Sequence, residues 1–456
     1  MTRRVTWMAA AAAGLVLTVS GCGGAPPAPG GGNSGGSQKT GANANGLDWN
    51  KTSDPSLKGQ TITVLWTDTN GPNGPKAKLL KQFTKETGIK VRELGVAYNN
   101  LYDKVMTAAM ANTSDIDVVE MDTIWAGQYY QGHIAVDLTH VIPKQVQDGF
   151  TPSSLGSVTY QGHLMAMPWY SSTKHFYWNN KLLHEADITH PPRTWDEFRQ
   201  DSLIIQKKLG PKGIYASGWS WKQAESLTCD YVGMVGAFGG QFFDKNGHPA
   251  FDKGGGLKAL QFMVQLMKDK TVDPASLQWT EQDVLNAFEA GKIAMMSNWE
   301  GVFPQVNDPS QSKIVGQADV GLLPGEGNVV SASCTGSEGV AIMQNSKHKE
   351  AALAFLKWIG SREYQLAEFQ QEGQYPSLKS LYNDPALKKA DTSHTLAKIQ
   401  AQFQYGINRP NAPGYVNWSD TLASALHSAL SGQMAPDKAL QKAAAKIEQA
   451  IQNENS

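Results

Sequence analysis

The run GQTITVLW (residues 59–66), followed by TDTNGPNGP (67–75), KAKLLKQFTKETG (76–88) and IKVREL (89–94), decides the fold. Thr61 to Trp66 is β-branched and aromatic, a composition that suits a pleated, half-buried surface. The Gly/Pro/Asn tract after it punctuates the chain. Leu79, Leu80, Phe83 and Thr87 then recur at helical spacing, and Gly88 suits the left-handed residue that ends a helix. Ile89 and Val91 alternate with Lys90 and Arg92, which is the period of a strand. Strand, helix and strand within about 35 residues make a parallel β-α-β unit. A second unit follows, with the helix NNLYDKVMTAAMAN (99–112) leading into the short buried strand IDVVEMD (116–122). Ligands meet the carboxyl ends of strands in such sheets, which puts Trp66, Asp68 and Asp122 at a candidate site.

Further along, Thr194 and Glu197 in TWDEFRQDSLIIQKKLG have the spacing of a capping box that starts a helix. GGGLKALQFMVQLMKDK (254–270) reads as an amphipathic helix. LNAFEAGKIAMMSNWEG (285–301) reads as helix, turn and strand ending at Trp299 and Glu300. DVGLLPG (319–325) reads as a buried strand stopped by Pro324, and two amphipathic helices close the chain. No internal repeat of fixed period occurs, so the body is α/β and not a solenoid.

At the other end, Arg3 and Arg4 precede an apolar run from Val5 to Val19, too short to span a bilayer and built like a secretory signal. Val19-Ser20-Gly21-Cys22 resembles the bacterial lipobox, in which the cysteine is lipidated and becomes the first residue of the mature chain. An ordinary cleavage site with an incidental cysteine is the alternative. Residues 1–21 are therefore expected to be a signal peptide and 22–57 a lipidated, disordered tether. From Gly23 to about Ser56 the chain lacks core-forming residues apart from Leu47 and Trp49. As a flexible Gly-rich chain of about 35 residues it would reach roughly 30 to 35 Å.

The formal net charge is −1, with no dense Lys/Arg cluster. That offers no electrostatic footprint for nucleic acid or acidic lipid and points to a neutral partner. Cys229 and Cys334 are the only cysteines besides Cys22, so no disulfide framework is present; two buried thiols are expected, with a single bridge as the alternative. The 13 tryptophans are conspicuous. Trp66, Trp125, Trp169, Trp219, Trp221, Trp299 and Trp418 sit beside Gly, Ser, Thr, Asn or Pro, which are loop neighbours.

Reactive constellations are missing from the sequence. Gly336-Ser337-Glu338-Gly339 is not a nucleophile elbow, the histidines show no zinc spacing, and GPNGPK lacks the phosphate-loop pattern. Paired carboxylates remain: Asp122, Glu300 and Glu338 each adjoin a strand. They could serve a glycosidase, which needs two carboxyl groups at short range. They could equally hold a sugar uncut, since pyranose faces stack on aromatic rings while hydroxyls seek charged acceptors.

Several segments together resemble the family 1 extracellular solute-binding proteins of bacterial ABC importers, particularly the trehalose/maltose-binding branch. They are ITVLW with KQFTKETGIKV, IDVVEMDTIWAGQY, HLMAMPWYSSTKHFYWNNKLL, TWDEF, WKQAESLTCDYV, FEAGKIAMMSNWEG, DVGLLPG, EAALAFLKWI and NRP, in the family's order. The resemblance implies a two-lobed periplasmic-binding-protein-like fold (type II) with a multi-strand hinge and a sugar in the interlobe cleft. Residues 58–171 and 320–360 would form one lobe, and 172–319 with 361–456 the other. It further implies that Asp122, with Trp125 close by, binds sugar hydroxyls from the first lobe, joined by Asp68 and Asn70. Tyr170 matches a ligand-contacting aromatic and Trp169 is its neighbour. Trp299 matches the stacking ring of the second lobe, and Arg409 a basic residue able to hold two hydroxyls. Two positions depart from the pattern: Ser172 stands where glucoside-binding relatives commonly have Asp, and Glu338 near where they often have Trp.

Plainer roles stand beside these. Trp66 could pack the lobe, Asp122 could cap a helix, and Trp299 could pack between lobes. Trp221, with Trp219, could cap the cleft or anchor a buried loop. Arg409 could pair with a surface acid, and Glu338 could bond a neighbouring loop. The reading is a lipid-anchored, monomeric receptor outside the cytoplasm that passes a neutral oligosaccharide, such as trehalose or maltose, to the transmembrane subunits of an ABC permease. It implies no cofactor, metal, nucleic acid or catalytic residue, and membrane contact only through Cys22. A secreted carbohydrate-active hydrolase is the runner-up, and a receptor for another solute the third.

Overall fold

The computed structural model describes residues 46–67 and 75–454. Two sheets organise the body. The first runs in the order Lys90–Val96, Thr61–Thr67, Val118–Asp122, Glu338–Ile342, Met167–Tyr170. Its first three strands are parallel, as the two β-α-β units require, with helices Pro75–Thr87 and Tyr98–Met110 as the crossovers. The last two strands arrive from distant parts of the chain and pair antiparallel. Those pairings place Glu338 opposite Asp122 on one side and opposite Tyr170 on the other. Directly opposed residues of antiparallel neighbours project from the same face, so these three side chains form a row.

The second sheet runs Ala318–Gly321, Lys174–Asn179, Ile293–Trp299, Tyr215–Gly218 and pairs Lys174 with Trp299. Short crossings lead out of the first sheet: Ser171–Thr173 links Met167–Tyr170 to Lys174–Asn179 of the second, Thr335–Ser337 links Ser333–Cys334 to Glu338–Ile342, and the two meet at the bridge between Thr173 and Thr335. Small hydroxylated residues let these backbones pass closely and satisfy their polar groups. Gly336 N–H donates to Ser172 O at 3.0 Å, Ser337 Oγ accepts from Ser172 N–H at 3.0 Å, and Ser333 Oγ donates to Lys174 O at 2.5 Å. Strand Ser333–Cys334 also pairs with Gly406–Ile407, so several segments cross between the lobes.

The helix at 195–209 begins as its sequence predicts. Thr194 Oγ1 accepts from Glu197 N–H at 3.1 Å, while the Glu197 carboxylate reaches back one residue further than a standard capping box, to Arg193 N–H at 2.7 Å. Three expectations need correction. The stretch 22–57 does not stay wholly free of the body: Leu47 and Leu57 are buried, and Lys357 lies over the Trp49 ring at 5.0 Å. Two apolar side chains and one ring suffice to dock its end. The lobe boundaries at 320 and 361 also shift. Ala318–Gly321 belongs to the second sheet by pairing with Lys174–Asn179, and helix Arg362–Glu372 packs on Pro75–Thr87 of the first lobe. Finally, the strand in DVGLLPG is only partly buried and ends at Gly321, before Pro324.

Candidate functional site

A cleft of about 690 Å³ opens between the sheets. Of the residues singled out in the sequence, Asp122, Tyr170, Ser172, Trp299, Glu300, Glu338 and Arg409 line it, joined by Tyr98, Lys222, Glu225 and Glu281.

Asp122 ends strand Val118–Asp122 and is the cap residue of the short turn Thr123–Trp125, yet its side chain makes no cap bond. Its carboxylate accepts instead from the Tyr98 hydroxyl and from Arg409 Nη2–H, the latter at 2.6 Å. Arg409 Nη1–H donates to Glu225 Oε1 at 3.1 Å and its Nε–H to Thr335 O at 3.3 Å. Glu225 Oε1 also accepts from the Tyr415 hydroxyl at 2.6 Å. One guanidinium therefore ties a strand end of the first sheet, a helix start of the second lobe and a crossing segment. Three of the five N–H groups of Arg409 are engaged by protein, so it reaches the cleft as a side chain already fixed by its partners and not as the free fork for hydroxyls that was expected. Carboxylate oxygens accept more than one bond, so Asp122 and Glu225, oriented by Arg409, still offer lone pairs to the cleft. Burial raises the pKa of Glu225 against the pull of Arg409.

Across the cleft, Trp299 ends strand Ile293–Trp299 and is only half-buried. Its backbone is held at both ends, by Asn298 Oδ1 at 2.9 Å and by the Tyr177 hydroxyl at 2.7 Å. Lys174 Nζ lies 5.5 Å from its ring centroid and is itself held by Asp230 at 2.7 Å and Ser220 at 3.0 Å. A Cβ on Gly336 would come within 2.8 Å of the ring. A bare glycine there lets the edge of the indole come close to the crossing.

Glu300 is buried beside it and accepts from Ser172 Oγ–H at 3.0 Å and Thr173 N–H at 3.1 Å. Burial, only partly opposed by these bonds, pushes its pKa from 4.5 to about 7. Ser172 thus acts as donor to an acid supplied from another strand. Between pH 4.5 and about 7 the folded state keeps a proton that the unfolded chain has released, so stability falls as pH rises through that window. Glu300→Gln removes the linkage. Its stability relative to the wild type should therefore rise with pH across the window by up to about 3 kcal/mol, measured by urea unfolding at each pH; parallel pH profiles would contradict this.

The remaining candidates lie elsewhere. Trp66 and Trp169 are buried, stacked at 5.7 Å, and enclose Lys76, whose Nζ is 4.9 and 4.2 Å from their ring centroids. Glu368 accepts the Trp169 indole N–H at 2.8 Å and Trp66 donates to Glu93 at 2.7 Å. Both rings are lobe packing and not ligand surface. Trp125 stacks behind Tyr98 at 6.0 Å, so it backs the site without lining it. Trp221 is buried against Trp219 at 5.4 Å, a loop anchor. Asp68, Asn70 and Cys22 lie outside the described residues. Cys229 and Cys334 are buried free thiols.

Tyr98 and Glu225 were missed, although each carries a signal: Tyr98 follows the carboxyl end of a strand, and Glu225 opens a helix after a Ser/Trp-rich loop. Glu300 was weighed both as a catalytic acid and as a sugar-holding carboxylate, without a place in the site set.

Two α/β lobes on separate sheets, several crossing segments and a polar cleft lined by the Trp299, Tyr98 and Tyr170 rings define a two-lobed solute-binding fold of type II. The chain belongs to the bacterial extracellular solute-binding protein family, whose sequence profile matches residues 66–366. Among its relatives is the "Probable ABC transporter-binding protein" of Deinococcus radiodurans, 28% identical over 338 residues, covering 72% of this chain and 79% of that one. Another is the diacetylchitobiose binding protein DasA of Streptomyces coelicolor, 24% identical over 82% of this chain and 81% of its own length. The solved structure of maltose-bound MalE3 from T. maritima superposes with a TM-score of 0.73 at 28% identity, covering 85% of this chain and 99% of that one.

Proposed function

We propose that this protein is the extracytoplasmic receptor of an ABC sugar importer, binding a neutral disaccharide such as maltose or trehalose in the cleft and delivering it to the permease. The observation that carries the reading is the pairing of one half-buried indole, Trp299, with the Asp122–Arg409–Glu225 cluster across about 690 Å³. That volume is in the range of small-molecule sites. A ring supplies a face for stacking a pyranose, and fixed carboxylates supply acceptors for its hydroxyls; a buried partner left unmatched costs roughly 1–3 kcal/mol, which is the basis of selectivity. Contacts from both lobes to one ligand favour the closed hinge. The relatives named for maltose and diacetylchitobiose support the ligand class, and Val19-Ser20-Gly21-Cys22 supports a lipid anchor at Cys22.

Titration calorimetry with maltose, trehalose and diacetylchitobiose should show saturable one-to-one binding of at least one. Assay of the same mixtures for released monosaccharide separates receptor from hydrolase: turnover overturns the proposal, as does the absence of binding across the panel.

A further inference from the structure

The first sheet brings three carboxyl groups to the cleft end of adjacent strands. Glu120 and Asp122 lie on Val118–Asp122, and Glu338 is the first residue of Glu338–Ile342, in register with Asp122. Their hydrogen-bond donors are unevenly shared. Glu120 accepts from Thr67 N–H at 2.7 Å and from Thr67 Oγ1–H at 2.8 Å. Asp122 accepts from the Tyr98 hydroxyl and from the charged Arg409 at 2.6 Å. Each of these two groups thus has a donor on both of its oxygens.

Glu338 is less well supplied, with the Tyr170 phenol as its donor and no cation of its own. It is 9% exposed, and its Oε2 has no hydrogen-bond partner among the described residues. The groups facing it are the Glu120 and Asp122 carboxylates and the Tyr170 and Tyr98 phenols. Arg409, the cation in this cluster, is engaged by Asp122 and Glu225. The pairing with Met167–Tyr170 shifts register between Glu338 and Gly339. A bulge re-aims the side chain at which it falls, and Glu338 lines the cleft.

We propose that Glu338 meets the ligand as an un-ionised carboxyl group, so that the cleft accepts a neutral, hydroxyl-bearing solute in that protonation state and releases it when Glu338 ionises. The inference rests on the sugar-receptor reading for its ligand. A negative charge on Glu338 beside two neighbouring carboxyl groups in a buried row is disfavoured, as in carboxylate pairs that share one proton. The proton is satisfied by the facing Glu120 carboxylate, which leaves Oε2 as the uncharged acceptor for a ligand hydroxyl. Burial, with Glu120 and Asp122 adding to it, raises the Glu338 pKa well above the ordinary 4.5. Ionised Glu338 would be sealed under a neutral ligand with no counter-charge, so above the Glu338 pKa binding takes up one proton.

Infrared spectra of ligand-free wild type and Glu338→Gln in heavy water at neutral pH test the protonation directly. The carbonyl stretch of an un-ionised carboxylic acid should be present in the wild type and reduced in the variant; identical spectra in that region overturn the proposal. Calorimetry with maltose and with diacetylchitobiose tests the linkage. Wild-type affinity should fall about tenfold per pH unit above the Glu338 pKa, and Glu338→Gln should lose this slope. Glu300→Gln should retain it, which separates the two buried acids. Glu120→Gln removes one facing charge and should move the onset of the loss to lower pH, a check independent of how Glu338→Gln folds. A pH-independent wild-type affinity overturns the ligand half of the proposal. Un-ionised Glu338 with neither sugar bound would overturn the sugar reading while upholding the protonation state.

Discussion

Trp299→Ala is expected to weaken sugar binding by about 2–4 kcal/mol, roughly 30- to 1,000-fold in Kd, while leaving the unfolding transition little changed. The ring is half-buried, backed by Lys174 at 5.5 Å and seated against Gly336. Its backbone is held by Asn298 and Tyr177 and survives the truncation. Stacking area is what disappears. Trp66→Ala makes the contrast, because that ring is buried and encloses Lys76 with Trp169. Its removal should cost stability of the order of 3–5 kcal/mol without touching the cleft wall. Calorimetry and urea unfolding on both variants separate ligand surface from core. Wild-type affinity in Trp299→Ala would move the site elsewhere.

Arg409→Ala should be more damaging to the fold than to any single ligand contact. It leaves Asp122 and Glu225 without their counter-charge, and breaking a buried pair from one side costs roughly 3–5 kcal/mol. Arg409→Lys retains the charge but not the fork that reaches Asp122, Glu225 and Thr335 O together, so it should recover only part of the loss. The deficit of Arg409→Ala should shrink at low pH as the stranded carboxylates take up protons. Urea midpoints at neutral and acid pH check both statements. A variant as stable as the wild type would mean that the three-way tie does not hold the lobes' facing surfaces.

Much of the architecture was legible because it is written in local chemistry. The β-branched run ending at Trp66, the helical spacing of Leu79, Leu80 and Phe83, and the Thr194–Glu197 cap each act within a few residues, and each forms the expected element. Strand ends placed Asp122 at the candidate site, since a strand's carboxyl end is a local feature whose meaning carries over to the sheet; the same reasoning placed Trp66 there, which the fold buries, while Trp299 entered through the family resemblance.

The tryptophans show the limit of that reasoning. Trp66, Trp169 and Trp221 have loop-like neighbours in sequence, yet their rings are buried against residues as remote as Glu368. A neighbouring Gly or Ser records where the chain turns and not what covers the ring. Burial is set by contacts across the fold, so the one indole that lines the cleft could not be told from those that fill the lobes. Arg409 was recognised as a site residue, but its partners come from three distant segments and only the fold shows three of its donors already engaged.

By itself, then, the sequence determined an α/β body, the order of its elements, its near-zero net charge and wealth of tryptophan, and the signal-and-cysteine pattern near Cys22. Tertiary structure alone decided how charge is distributed in the cleft. Strand Glu338–Ile342 enters the first sheet between two strands far from it in sequence, with a register that sets Glu338 beside Asp122 and Tyr170. Electrostatic interactions act through space, and the distances that govern them exist only after those strands have paired.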